Sequence, residues 1–338
     1  MNNPFKGKHG PLLIAEIGGN HEGNFEYAKK LTQLAIDTDV DYIKFQIYTG
    51  DTLVSSLESP DRNNHFKKFE LSQEQHSYLA QMVIDAGIKY TSSIWDIDVI
   101  KVMDKYMTLY KIGSGDLTAY PVLKQTAKIG KPIVLSTGLS TEEEVLETVN
   151  YIQSVNPVYK QKEMLSILQC TSMYPIDASD SHLSVINRLQ RLTSLTVGYS
   201  DHTEGIKALQ YAVGMGAEVL EFHFTDTRVG QSFRDHQVSL TPIEVKSLIQ
   251  EIKLIKSYQG DNIKKPTQIE LKNDHEISFR RAVYPSKDIK KDELFTDENL
   301  TVLRPNHGID ARDYDSVVGK KSKVDLKKHQ KLDWGLIQ

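Results

Sequence analysis

The sequence predicts an α/β protein whose first 260 residues form a (β/α)8 TIM barrel, on three observations. Short runs rich in β-branched and aromatic residues recur eight times between residues 12 and 225, and segments of helical character separate them. The eight units also fill the ~250 residues that such a barrel typically needs. A doubly wound open sheet shares this alternation, and apolar patterning alone does not separate the two.

The runs, in order, are LLIAEIG (12–18), YIKFQIY (42–48), KYTSSI (89–94), LYKIGS (109–114), IVLSTG (133–138), LSILQCT (165–171), LTVGYS (195–200) and VLEFHFT (219–225). Helix starts between them carry capping signals at Ser72-x-x-Gln75, Ser140-x-x-Glu143 and Thr241-Pro242-x-Glu244. After the last, Val245, Leu248, Ile249, Ile252 and Ile255 recur at helical spacing, the stripe with which an outer helix packs. The pattern changes after Gly260. Residues 261–276 are polar, contain Pro266 and read as a linker. Residues 277–338 form short segments such as AVYPS and LTVLRP between polar clusters, as a small second domain would. That stretch holds 13 Lys and Arg against 10 Asp and Glu, leaving −7 on the remainder of the chain. Such an offset could help two domains dock, and two independently solvated surfaces account for it equally well.

Composition narrows the class. A chain of 338 residues with 39% hydrophobic and 25% charged residues is that of a soluble globular protein. A net charge of −4 does not point to nucleic acid as a partner. One cysteine excludes a disulfide framework or a multi-thiolate cluster and suits a reducing compartment. MNNPFKGKHG lacks the apolar core of a signal peptide, and no apolar run nears the ~18 residues of a membrane span. The expected setting is therefore cytoplasmic, with no membrane association.

In a barrel the C-terminal strand ends form the active face, and here they are polar. The first strand ends in Glu16 and runs into GGNHEG, and the second carries Lys44 and Gln46 on one face. The fourth gives Lys111-Ile112-Gly113-Ser114-Gly115-Asp116, the fifth Ser136, the seventh Ser200-Asp201-His202 and the eighth Glu221-Phe222-His223. Lysines are rarely buried unpaired, so Lys44 and Lys111 require anionic partners. These are either Glu16 and Glu221 within the barrel or a ligand phosphate or carboxylate held with Ser114, Ser136 and Ser200. Neither glycine-rich stretch matches a nucleotide fingerprint. His202 and His223 lie at adjacent strand ends with Asp201, Glu221 and Asp235 close in sequence. Two imidazoles with oxygen ligands suit Mn2+ better than a closed zinc site, with satisfied structural histidines as the alternative. His21 and His236, on loops, are further candidates. Cys170 reads as core packing rather than a catalytic thiol.

Together these stretches resemble the sialic acid synthase family, the phosphoenolpyruvate-dependent nonulosonate synthases. The matching segments are AEIGGNHEGN (15–24), IKFQ (43–46), YKIGSGD (110–116), GKPIVLSTG (130–138), LQCTSMYP (168–175), VGYSDHTEG (197–205) and HFTD (223–226). SKDIKKDELFTDENLTVLRP (286–305) and VGKK (318–321) resemble that family's C-terminal antifreeze-like domain, also called SAF, of β-clip type. The resemblance implies condensation of phosphoenolpyruvate with an N-acetylated amino sugar to a nine-carbon 2-keto acid and phosphate, with C–O cleavage. It implies that Lys44, Lys111, Ser114, Ser136 and Ser200 hold phosphoenolpyruvate, with Gln46 beside them. His202 and His223 would ligate a divalent metal, Mn2+ or else Mg2+ or Co2+. Glu16 and Asp235 would serve water activation and proton transfer, and Tyr174 and Asp116 would face the sugar. Arg304 would reach the barrel of a partner in a domain-swapped homodimer.

The chain departs from the family pattern at Ser92-Ser93-Ile94-Trp95, at Asp116 in place of Glu, and at Ser172 in place of Asn. It also departs at Phe222 in place of a basic residue and at Phe233-Arg234 in place of Gly-Pro. Most of these changes fall on the presumed sugar side. Two other functions remain open: a class I aldolase with Lys44 or Lys111 as the Schiff-base amine, and a non-catalytic sugar-binding protein.

Overall fold

The computed structural model describes residues 3–338. Two compact units divide the chain after Gly260. The first contains eight parallel strands: β1 (Gly10–Glu16), β2 (Tyr42–Ile47), β3 (Lys89–Ile94), β4 (Tyr110–Ile112), β5 (Ile133–Ser136), β6 (Leu165–Cys170), β7 (Thr196–Asp201) and β8 (Val219–His223). Each pairs with the next, and β1 pairs with β8 from Leu12↔Val219 to Glu16↔His223. That closing ladder makes the sheet a barrel and eliminates the open-sheet alternative. Outer helices follow the strands, from Phe25–Ile36 after β1 to Pro242–Gln259 after β8.

Strand periodicity sorts the side chains. Leu13, Ala15, Ile43, Phe45, Tyr110, Ile112, Ile133, Leu135, Val197, Tyr199, Leu220 and Phe222 face outward into one continuous core with the helices. Their alternates fill the lumen. At its lower end Leu12, Ile14, Tyr42, Leu109, Val134, Leu168 and Val219 form an apolar plug, to which Phe5 is added. One step further along the same strands come Glu16, Lys44, Lys111, Ser136, Ser200 and Glu221. The lumen thus changes from hydrocarbon to charge within two residues of each strand, which puts the polar end on the face where βα loops build sites.

Capping follows the expectation at Ser72–Gln75 and Thr241–Glu244. The third box lies one residue later than expected. Thr141, not Ser140, accepts from the Glu144 amide, and the Glu144 carboxylate accepts from Thr141 N. Leu139 takes a left-handed φ of 67°, and Ser140 Oγ turns back to the Gly138 carbonyl, so the helix starts after that turn. Three features were not foreseen: the Lys6–Gly7 strand hydrogen-bonded to β1, and helices Gly50–Leu53 and Pro60–Phe69 in the loop after β2.

In the second unit, β9 (Ala282–Pro285) and β10 (Leu300–Leu303) form an antiparallel pair. Val283, Ile289, Phe295, Leu300, Ile309, Val317, Leu326, Leu332 and Ile337 build a separate core. The polar stretch read as a linker carries two short, exposed helices, Gln268–Lys272 and His275–Ser278. Among the described residues, no helix is long and apolar enough to cross a membrane.

Candidate active site

A cavity of about 980 Å³ opens at the C-terminal ends of the barrel strands. Glu16, Lys44, Gln46, Lys111, Ser114, Asp116, Ser136, Ser172, Tyr174, Ser200, His202, His223 and Asp235 all line it, together with Glu221. The remaining site residue, Arg304, follows β10 in the second unit, where its guanidinium lies 5.2 Å from the Phe279 ring centre.

At the cavity floor two ammoniums and two carboxylates form one buried cluster. Lys44 Nζ lies 2.5 Å from Glu16 Oε2 and 3.3 Å from Glu221 Oε1, and Lys111 Nζ lies 3.3 Å from Glu221 Oε2. Lys44 also donates to Ser93 Oγ at 3.1 Å. Lys111 donates to Ser136 Oγ at 2.7 Å and to the Ile112 carbonyl at 3.0 Å. The lysines therefore pair within the barrel, as the first of the two answers expects, and they do so at the floor of an open cavity.

The two carboxylates differ in character. Burial raises Glu16 to about 7, with Lys44 only partly opposing it. Burial acts on Glu221 in the same direction, but Lys111 and Lys44 together overcome it and hold that carboxyl at about 2. Glu221 is thus the fixed counter-ion, and Glu16 is poised to exchange a proton near neutral pH. Gln46 Nε2 donates to Glu16 Oε1 at 2.9 Å and orients it. Burial works against the charge of Lys44 as well, but Glu16 and Glu221 outweigh it and raise its pKa. Burial prevails at Lys111 and lowers its pKa.

Above this cluster stand the imidazoles, their ring centres 5.4 Å apart. The Thr171 carbonyl can only accept, so His202 Nδ1 carries the proton of their 2.6 Å bond and Nε2 keeps its lone pair. His223 Nδ1 is buried without a hydrogen-bond partner and lies 3.9 Å from Asp235 Oδ2. Burial holds both histidines below their usual pKa, hence neutral, and raises that of Asp235. Neutral imidazoles, one oriented by a carbonyl, are donors a divalent cation can use. Among the described residues, no group of three or more His, Cys, Asp and Glu is arranged to hold a metal. A cation here would rest on two protein nitrogens and take its other ligands from substrate and water.

The departures divide on inspection. Phe222 faces the outer helices, so that change alters packing and not the cavity. Ser93 supports Lys44. Ser172 and Asp116 line the cavity, and burial raises the Asp116 pKa although the Trp95 indole hydrogen-bonds to it. Cys170 is buried, as expected, and in addition lines the cavity, with Sγ 3.9 Å from His202 Nδ1. It alternates inward with Leu168, and burial raises its pKa, so it stays a thiol. His21 and His236 do not line the cavity: His21 Nδ1 accepts from the Gly23 amide, and His236 Nδ1 bonds Thr225 Oγ1.

Sequence reasoning missed an aromatic wall on the other side of the cavity. His65, Phe66 and Phe69 come from helix Pro60–Phe69, and Phe233 comes from the loop after β8. The signal was present in Ser59-Pro60, a helix start, and in aromatics at i and i+3, but a mostly polar segment hid it.

Residues 31–264 match the NeuB family, and residues 280–338 match the SAF domain. N,N'-diacetyllegionaminic acid synthase of Campylobacter jejuni is 34% identical over 322 residues, covering 91% of this chain and 95% of that protein. Pseudaminic acid synthase of the same organism is 32% identical over 344 residues, covering 97% and 96%. The crystal structure of N-acetylneuraminic acid synthetase from Leptospira borgpetersenii superposes with a TM-score of 0.72 at 27% identity, over 78% of this chain and 90% of that one.

Proposed function

Because the chain belongs to the NeuB family of acid synthases, we propose that its barrel condenses phosphoenolpyruvate with an N-acetylated amino sugar. The products would be a nine-carbon 2-keto acid and phosphate. The observation that carries this reading is the pair of buried lysines, flanked by Ser114, Ser136 and Ser200, at the floor of a cavity whose upper part holds two neutral imidazoles. Such a floor suits a small, multiply charged anion.

The chemistry divides along the cavity. The C2=C3 electron pair of phosphoenolpyruvate forms a bond to the aldehyde carbon of the sugar, whose oxygen takes up a proton. Water then adds at C2 as Glu16 accepts its proton. The C2–O bond to phosphate breaks, phosphate leaves with the electron pair, and the C2 hydroxyl loses its proton to give the ketone. Asp235 would exchange a proton at the sugar oxygen, and Tyr174 and Asp116 would face the sugar; all three line the cavity. A divalent cation on His202 and His223, Mn2+ or else Mg2+ or Co2+, would supply polarisation of the aldehyde. The proposal extends to a homodimer in which the partner's small domain supplies its arginine, and to a cytoplasmic setting in keeping with one free thiol.

One observation favours the Schiff-base alternative: burial depresses the Lys111 pKa. Its contacts to Ser136, the Ile112 carbonyl and Glu221 nevertheless match the three N–H groups of an ammonium, which has no lone pair with which to attack a carbonyl. Phosphate release from phosphoenolpyruvate with N-acetylated amino sugars, abolished by EDTA, is the expected result. Borohydride trapping of pyruvate on a barrel lysine, without phosphate release, would overturn the proposal.

A further inference from the structure

The stretch GGNHEG (18–23) follows β1, and none of its residues has a role in the steps above. Asn20 within it is fully buried and reaches across to the loop after β8, residues 224–240, which carries Asp235. The two ends of that loop are tied to neighbouring strand ends. Phe224 N donates to the Glu16 carbonyl at 2.7 Å, and Leu240 N donates to the His223 carbonyl at 2.7 Å. Asn20 bridges these ends, its Nδ2 donating to the Phe224 carbonyl at 2.9 Å and to Ser239 Oγ at 2.8 Å. Ser239 Oγ in turn donates to the Asp235 carbonyl at 2.6 Å. Both carbonyls can only accept, so the relay runs one way, from amide to hydroxyl to the Asp235 peptide. Asn20 Oδ1 is left buried without a partner, a cost that an apolar side chain of the same shape would avoid. What Asn20 contributes is therefore its two donors.

Asp235 has little else to aim it. It opens a helix of four residues, Asp235–Val238, too short to hold itself. Its Oδ1 is buried without a hydrogen-bond partner, and Arg234 Nε, on the adjacent and mostly exposed side chain, lies 3.4 Å away. Other anchors of the loop hold different stretches: Tyr27 and Lys30 bind Asp226, and Glu244 binds Arg228. His236 fixes the helix to Thr225 away from the cavity.

Resting on the condensation reading, we propose that Asn20 and Ser239 are positioning residues for Asp235, holding its peptide so that the carboxyl stands in the cavity where the acceptor oxygen takes up its proton. Neither residue lines the cavity, so both act through Asp235.

The test is a double-mutant cycle on phosphate release from phosphoenolpyruvate with an N-acetylated amino sugar. Ser239→Ala should lower kcat about tenfold to a hundredfold, as small displacements of a reacting group do, and leave KM for phosphoenolpyruvate within about twofold. On an Asp235→Asn background the same change should cost less than about twofold, because the group it positions is already disabled. Ser239→Thr, which keeps the hydroxyl, should recover most of the lost kcat, and Asn20→Leu should lower kcat at least as far as Ser239→Ala. Amide hydrogen exchange gives a readout that needs no turnover: residues 235–240 should exchange about tenfold faster in Ser239→Ala, with helix Phe25–Ile36 unchanged. Equal losses on both backgrounds, an unchanged kcat, or a loss expressed as higher KM for phosphoenolpyruvate would overturn the inference while phosphate release by the wild type leaves the condensation standing. Unchanged exchange would overturn it as well. A wild type that releases no phosphate would sink the condensation, and faster exchange at residues 235–240 would still support the tether.

Discussion

Glu16→Gln separates anion binding from proton transfer at one buried site. The amide has the carboxylate's shape and can still accept from Gln46, now at 2.9 Å. It removes the charge closest to Lys44, whose remaining carboxylate, Glu221, lies 3.3 Å away. The floor then shifts from two positive and two negative groups to a net positive charge, so phosphoenolpyruvate binding should hold or tighten. Losing a general base costs typically 10²–10⁴-fold, equivalent to roughly 3–5 kcal/mol of barrier. A lone buried charge would cost about 3–5 kcal/mol of stability, and Glu221, shared between Lys44 and Lys111, offsets part of it, so a smaller loss is expected. The assay is phosphate release against pH from 6 to 9. In the wild type the rate should rise as Glu16 ionises near its raised value of about 7. In Glu16→Gln the rate should be at least a hundredfold lower, that limb should vanish, and KM for phosphoenolpyruvate should not increase. A kcat within threefold of wild type, or a loss appearing wholly as higher KM, would refute the assignment.

Gly138→Ala should raise the KM for phosphoenolpyruvate about tenfold or more, because a Cβ there collides with Ser172 Oγ and comes within 2.9 Å of Ser114 Oγ. Steady-state kinetics with calorimetry to confirm folding would check it. His21 is held neutral by burial, at about 4, and its Nδ1 accepts from Gly23. The unfolded chain takes up that proton below about 6.5, so the stability this provides is fully present above pH 6.5 and falls until pH reaches about 4, at ~1.4 kcal/mol per unit. Urea midpoints at pH 7 and 5 should show the loss, and His21→Asn should flatten it. Arg304→Ala and Lys44→Ala should each be inactive, and their mixture after subunit exchange should recover about a quarter of wild-type activity. No recovery would count against an arginine supplied by the partner subunit.

The lumen residues were legible because strand periodicity is local. Lys44 reads as sharing a face with Gln46, and the same alternation, applied to the eighth strand, puts Glu221 with His223, so closing the barrel gathers them at one end. Cys170 escaped that logic because the run around it is apolar, and only the register shows it alternating inward with Leu168. The Thr141 cap moved by one residue because the left-handed turn at Leu139 is decided by tertiary fit. Phe69 and Phe233 are 164 positions apart and meet through loops, where no periodicity links them. The wall was therefore invisible while the floor was plain.

The most direct test of the central claim follows the bridging oxygen. With 18O placed between C2 and phosphorus of phosphoenolpyruvate and an N-acetylated amino sugar as acceptor, the account expects the label in the released phosphate and a solvent-derived keto oxygen at C2. Label retained in the keto acid would mean P–O cleavage, contradicting the roles given to water and Glu16.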